Sequence, residues 1–128
     1  MMLGPIVVLI NQYSASDGDL FPYGIKKYGL GSVIGVRSWG GVVGIRGTHP
    51  FIDGAVMNKP EFASYDAETG EWIIEGWGVK PDMVVDNDPY QEFIGNDTQL
   101  DKAIEEILKS MKDYKELPAI PKGPDKTK

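Results

Sequence analysis

Apolar residues follow two rhythms along this chain. Ile6-Val7-Val8-Leu9-Ile10 is an uninterrupted, β-branched run ending in turn residues, the pattern of a strand covered on both faces. Small and polar residues follow over 11–19. Residues 20–28 then carry a 3.6-period stripe behind Asp17 and Asp19, two acids suited to the first turn of a helix. Gly29-Leu30-Gly31 closes that helix. Residues 32–37 read as a second strand, so strand, helix and strand form a parallel βαβ unit with a right-handed crossover.

Residues 38–47 are glycine-rich with Val and Ile between, which predicts bends, close backbone approach and an irregular or bulged strand along which an extended segment can lie. A phosphate-binding glycine loop is excluded, because these glycines do not stand between a strand and the opening of a helix. Residues 48–62 suggest a β-hairpin turning at Asp53-Gly54. Residues 65–72 suggest another, turning near Glu68-Thr69-Gly70 and continuing through Ile73-Ile74. A loop over 75–82 leads to a short strand, Met83-Val84-Val85. Leu100, Ala103, Ile104, Ile107, Leu108 and Met111 then mark one helical face, capped by Asp97 or Thr98 and supported by a Glu105–Lys109 pair. From Leu117 onward proline and lysine dominate without any packing pattern, as in a mobile tail.

Composition narrows the function classes. The 128 residues are 41% hydrophobic and 25% charged, enough for one globular core. A net charge of -6, with no basic cluster to offset it, argues against nucleic acid or an anionic membrane as partner. The absence of cysteine removes disulfides, thiolate zinc sites and a cysteine nucleophile; it fits the cytoplasm and is compatible with secretion. No basic flank or small-residue cleavage site marks a signal peptide. The first core strand begins within a few residues of Met1, which suggests that a preceding portion exists elsewhere.

The candidate chemistry starts at Ser16, on the bend from strand to helix. A serine there can be a nucleophile whose oxyanion is held by the next N–H, that of Asp17, or an ordinary N-cap, the commoner role. Ser14, earlier in the bend, suits a scaffold role. His49 is the sole histidine and stands in a turn, where a lone His is usually a solvated surface residue rather than a base. Lys26 and Lys27 fall on the wet side of the helix, away from anything that would depress a lysine pKa. Glu75 ends an apolar strand before Gly76-Trp77-Gly78. It can orient a catalytic partner, or brace the loop through backbone N–H groups, the commoner use. Trp39, Trp72 and Trp77 suit core or pocket wall. No metal-ligand spacing is present, so neither metal nor cofactor is expected.

Four segments, in order, resemble the C-terminal catalytic domain of the tricorn-type proteases, members of the same S41 serine peptidase grouping as the tail-specific proteases. Asn11-Gln12-Tyr13-Ser14-Ala15-Ser16-Asp17-Gly18-Asp19 is similar to that family's N-E-Y-S-A-S-D-G-D. Gly35-Val36-Arg37-Ser38-Trp39-Gly40-Gly41-Val42-Val43-Gly44-Ile45 is similar to G-x-R-T-W-G-G-V-x-G-I. Glu75-Gly76-Trp77-Gly78-Val79-Lys80-Pro81-Asp82 is similar to E-N-x-G-V-x-P-D, with Gly76 where the family usually has Asn, and Gln99-Leu100-Asp101-Lys102-Ala103-Ile104 to Q-L-x-x-A-I.

The resemblance implies an α/β fold, a crotonase/Clp-like β-β-α spiral core with β-hairpin insertions and a C-terminal amphipathic helix. Residues 1–115 would form the C-terminal part of the catalytic domain and residues 116–128 a flexible tail. It further implies that Ser16 is the nucleophile, that the Asp17 N–H belongs to the oxyanion hole, and that Glu75 orients the base through an intervening serine. Gly40 and Gly41 would lie along the substrate cleft. Tail-specific relatives place a lysine base about 25 residues after the serine. That position is Gly41 here, which leaves the histidine-dependent branch. In that branch the catalytic His and its adjoining Ser precede this region, so the 128 residues alone are expected to lack proteolytic activity. The implied partners are peptide substrates, the N-terminal portion of a parent protein and further copies of the subunit. The alternative is a catalytically incomplete peptide-binding or assembly module of the same fold.

Overall fold

Val33 and Ile34 are fully buried, and the rest of the fold is layered about the strand that carries them. The computed structural model describes residues 4–115, 117–124 and 126–127. Its elements are β1 (Val7–Ile10), α1 (Asp17–Lys27), β2 (Ser32–Gly35), β3 (Gly44–Pro50), β4 (Val56–Phe62), β5 (Met83–Val84), α2 (Pro89–Phe93) and α3 (Thr98–Met111). The protein is therefore α/β, with β1, β2 and β5 forming a parallel three-stranded sheet in that order.

Strand alternation sends Val33 and Ile34 to opposite faces of β2. Val33 joins Ile10, Ile25, Val42, Ile74 and Val79 in the main apolar cluster, so α1 covers that face. Ile34 lies outside that cluster yet is equally buried, and α3 is the other helix packed on β1 and β2. Burial of each such side chain is worth about 1.5–3 kcal/mol. The expected βαβ unit is present, with Val7 paired to Ser32 and Ile10 to Gly35. A Cβ at Gly35 would stand 1.9 Å from the Ile10 carbonyl oxygen, so the end of that pairing requires glycine.

Several expectations need correction. β1 lies at the edge of its sheet and is covered less fully than expected: Ile10 is buried, but Leu9 is 38% exposed. Regular pairing does not start until Gly44. Residues 38–43 are irregular, as the glycines suggested, because the amides of 40–43 bond to carboxylates and those of Ser38 and Trp39 to the carbonyls of Val79 and Ser14. The hairpin over 44–62 does turn at Asp53-Gly54, with register shifts between Gly44 and Thr48, and its strand β3 contains His49, which is therefore not in a turn. The second hairpin reduces to one bridge, Tyr65 to Trp72, closed by Asp66 and Gly70. Helix α2 was not anticipated; Asp88 caps it by accepting from the amides of Tyr90 and Gln91 at 3.0 Å each. Asp97 caps α3 by accepting from Leu100 at 2.9 Å. Of the expected tail, Glu116, Asp125 and Lys128 lie outside the described residues, and the remainder carries neither helix nor strand.

Candidate active site

Residues 11–18 turn the chain from β1 into α1 through nested hydrogen bonds. The Asn11 amide donates to Ser14 Oγ at 3.0 Å, and the Tyr13 amide to Asn11 Oδ1 at 3.0 Å. The Ser14 carbonyl accepts from the Trp39 amide at 2.9 Å, so Ser14 is scaffold at both ends. The Gly18 amide then closes a turn onto the Ala15 carbonyl at 2.8 Å, with Ser16 inside it at φ 55 and ψ -112. These are the dihedrals of the first central position of a type II′ turn, normally a glycine site. A serine held there stores about 1–3 kcal/mol of strain.

Ser16 occupies the N-cap position of α1, yet its side chain makes no capping bond. The positive φ turns Oγ away from the helix amides it would otherwise satisfy. The adjacent Asp17 amide has no hydrogen-bond acceptor among the described residues. An exposed hydroxyl and an unused N–H therefore sit side by side at the mouth of the helix.

The glycine-rich segment is held from beneath by two carboxylates. Asp19 Oδ1 accepts from the Gly40 amide at 2.8 Å and Oδ2 from the Gly41 amide at 3.0 Å. Glu75 Oε2 accepts from the Val42 amide at 2.6 Å and the Val43 amide at 2.9 Å. Four consecutive N–H groups are thus consumed, and an added strand cannot pair with them as the sequence suggested. The carbonyls are engaged too: Gly41 accepts from the Ser16 amide at 3.2 Å, and Gly40 from the Gly76 amide at 2.7 Å. Gly40 itself is buried, with Trp77 and Gly78 so near that a Cβ would stand 2.5 Å from the Gly78 nitrogen.

Glu75 is aimed by a second strained position. Ile74 has φ 27, and it and Ser16 are the only non-glycine residues with positive φ among those described. The Ile74 carbonyl accepts from Gly78 at 2.8 Å, folding the bend so that the carboxylate reaches the amides of 42 and 43. Both strained residues thus serve the same constellation, Ser16 as a member and Ile74 as the neighbour of one.

Ser16, Asp17, Gly41 and Glu75 line one open cleft of about 770 Å³; Gly40 does not. The lining is otherwise largely apolar, with Leu20, Trp39, Ile45 and Phe62 among it. Ser64 adds a hydroxyl that nothing in its sequence context marks. No histidine or lysine lines the cleft among the described residues. His49 is exposed on β3. Lys26 pairs with Asp82 at 2.7 Å and donates to the Lys80 carbonyl at 2.6 Å. Lys27 pairs with Asp66 at 2.6 Å, and that bond pushes its ammonium pKa up. Both lysines are half-buried and paired rather than on a wet face, and neither is poised as a base. Among the described residues no cluster of His, Cys, Asp or Glu side chains is suited to hold a metal ion.

Comparison with known proteins gives a consistent family. The model for peptidase family S41 matches residues 2–85. Tricorn protease of Thermoplasma acidophilum is 41% identical over 119 residues, spanning 92% of this chain and 11% of that protein. A putative tricorn-like protease C-terminal subunit of Sulfurisphaera tokodaii is 46% identical over 110 residues, 86% of this chain and 13% of the relative. The crystal structure of the tricorn protease superposes with a TM-score of 0.77 at 41% identity, over 86% of this chain and 11% of that one. The chain thus spans about a tenth of the length of such relatives.

Proposed function

The chain belongs to peptidase family S41, and on that premise we propose that it carries the nucleophile of a serine-type peptidase that hydrolyses oligopeptides, with Ser16 as the attacking residue. One observation carries the assignment: Ser16 is held at a strained, glycine-like φ of 55 with no capping bond, facing a cleft beside an unused Asp17 amide. A cap alone requires neither the strain nor the missing bond.

In the proposed reaction Ser16 Oγ attacks the scissile carbonyl carbon while a base removes its proton. The developing oxyanion accepts a hydrogen bond from the Asp17 N–H, and collapse expels the amine, which receives from the base the proton taken from Ser16. Water then hydrolyses the acyl-enzyme by the reverse path. The base is an imidazole from the N-terminal portion of the parent protein, oriented by Glu75 through an intervening serine. Support for that role comes from the Glu75 carboxylate, which meets the Val42 and Val43 amides through Oε2 and lines the cleft. We read the three-stranded parallel sheet with α1 as part of a crotonase/Clp-like spiral, completed by the same parent protein and by further copies of the subunit.

The test is peptidase activity of the full-length parent carrying Ser16→Ala, expected to lose at least about 1,000-fold in kcat. Wild-type activity would end the assignment. A second reading, a peptide-binding or assembly module without hydrolytic power, draws on the lack of histidine and lysine in the cleft among the described residues. Ser16-dependent turnover by the parent would exclude it.

A further inference from the structure

We infer that Asp19 is a positioning residue for Ser16, acting through the glycine-rich segment rather than on substrate; the inference rests on Ser16 being the nucleophile. Acids in the first turn of a helix usually meet solvent and the helix dipole. Asp19 instead has no solvent exposure. A buried carboxylate is tolerated only when its oxygens are matched by donors, and here each oxygen receives one glycine amide, at 2.8 and 3.0 Å.

The bonds close a circuit. Asp19 fixes Gly41, whose carbonyl accepts the Ser16 amide at 3.2 Å. The Ser16 carbonyl in turn accepts the amides of Asp19 and Leu20, at 2.9 Å each. Both backbone groups of Ser16 are therefore pinned, one through the side chain of Asp19 and one through its amide. A serine released from this circuit relaxes to negative φ, where Oγ swings onto the α1 amides as a common cap and leaves the cleft. Asp19 thus keeps the hydroxyl in its reactive position without touching a substrate. The two carboxylates divide the work: Asp19 spends both oxygens on the segment, whereas Glu75 uses only Oε2 there.

The experiment is fluorophosphonate labelling of the full-length protein, in which an Oγ–P bond forms and fluoride leaves with the serine proton, separating the maximal rate from the reversible binding constant. Asp19→Asn keeps the shape but turns an NH2 group toward one glycine amide. The expected result is a maximal rate reduced on the order of 10–100-fold with reversible binding unchanged. A rate equal to that of the unsubstituted protein overturns the inference while leaving Ser16 as nucleophile. Labelling that persists in Ser16→Ala overturns the reading on which the inference rests. Amide hydrogen exchange at Gly40 and Gly41 in the unsubstituted protein is a check independent of how the variant folds. Protection supports the circuit, and exchange at open-loop rates overturns it.

Discussion

The amide of Ser16 donates to the carbonyl of Gly41 at 3.2 Å, tying the start of α1 to the middle of the glycine-rich segment. Those residues are 25 positions apart in sequence, and their distance in space decides which way the serine hydroxyl points. At φ 55 and ψ -112 the residue is strained, and the strain persists because both its N–H and its C=O have partners placed for that conformation.

Replacing Ser16 with glycine removes the strain. Glycine adopts this conformation freely, a relief of about 1–3 kcal/mol, against about 0.5–1 kcal/mol of added unfolded-chain entropy. Ser16→Gly is therefore expected to be more stable than the unsubstituted protein by roughly 1 kcal/mol, while losing all fluorophosphonate labelling. Urea denaturation measures the first and labelling the second. A variant less stable by that amount would show that the backbone is not strained at this position.

Glu75 both braces and, in the proposed mechanism, orients, and two substitutions separate these roles. In Glu75→Gln the amide oxygen still accepts from Val42 and Val43, so stability is expected to hold within about 1 kcal/mol. The charge is gone, and turnover by the parent protein is expected to fall on the order of 100-fold. Glu75→Ala abandons two amides and is expected to cost about 2–4 kcal/mol. If Gln and wild type turn over equally, the carboxylate is a brace only.

How far the site could be read from the chain depends on whether a role is local. The strand, bend and helix around Ser16, the span of α3 and the Asp53-Gly54 turn are written in neighbouring residues; the face α3 packs is not, since it buries Gln99 and Ala103 while Leu100, Ile104, Leu108 and Met111 of the apolar stripe stay exposed. The fate of Ser16 is not: the II′ conformation is imposed from Gly41. Asp19 looked like a helix-dipole acid because its sequence position is the same whether its carboxylate meets water or two glycine amides from 21 and 22 residues away. Lys27 looked solvated for the same reason, its partner Asp66 lying far along the chain. Helix α2 spans only five residues, too short for a periodicity, although Asp88-Pro89 is a start signal. Ser64 has no pattern at all.

The Lys27–Asp66 pair predicts a pH dependence of stability. The Lys27 ammonium, then the Glu68 amide, hold the Asp66 carboxyl down at about 2. A carboxylate depressed on folding stabilises the protein above its unfolded pKa of about 4 and loses that contribution as pH falls toward its folded value. Lys27 is raised mainly by the same bond, so its contribution is complete below about pH 10.4 and fades as pH rises through its folded value. The urea midpoint is expected to fall between about pH 4 and pH 2, and the drop is expected to be smaller in Asp66→Asn. Parallel profiles for the two proteins would show that the pair is not coupled to folding.

Gly76 and Gly78 offer a matched test of what fixes the bend after Glu75. Both have positive φ, 82 and 62. A Cβ at Gly76 meets nothing within 4 Å, whereas one at Gly78 would stand 2.3 Å from the carbonyl oxygen of Ser38. Ser38 has nowhere to go, because it is fully buried and its Oγ accepts the Val79 amide at 2.7 Å. Gly76→Ala is therefore expected to cost only the left-handed penalty of about 1–2 kcal/mol, and Gly76→Asn less, since asparagine tolerates that region. Gly78→Ala adds a backbone clash and is expected to cost about 3 kcal/mol or more, with loss of Ser16 labelling as the Glu75 bend detaches from residues 40–43. Equal costs from urea denaturation of the two alanine variants would mean that the bend is set by conformation alone and not by its contact with Ser38.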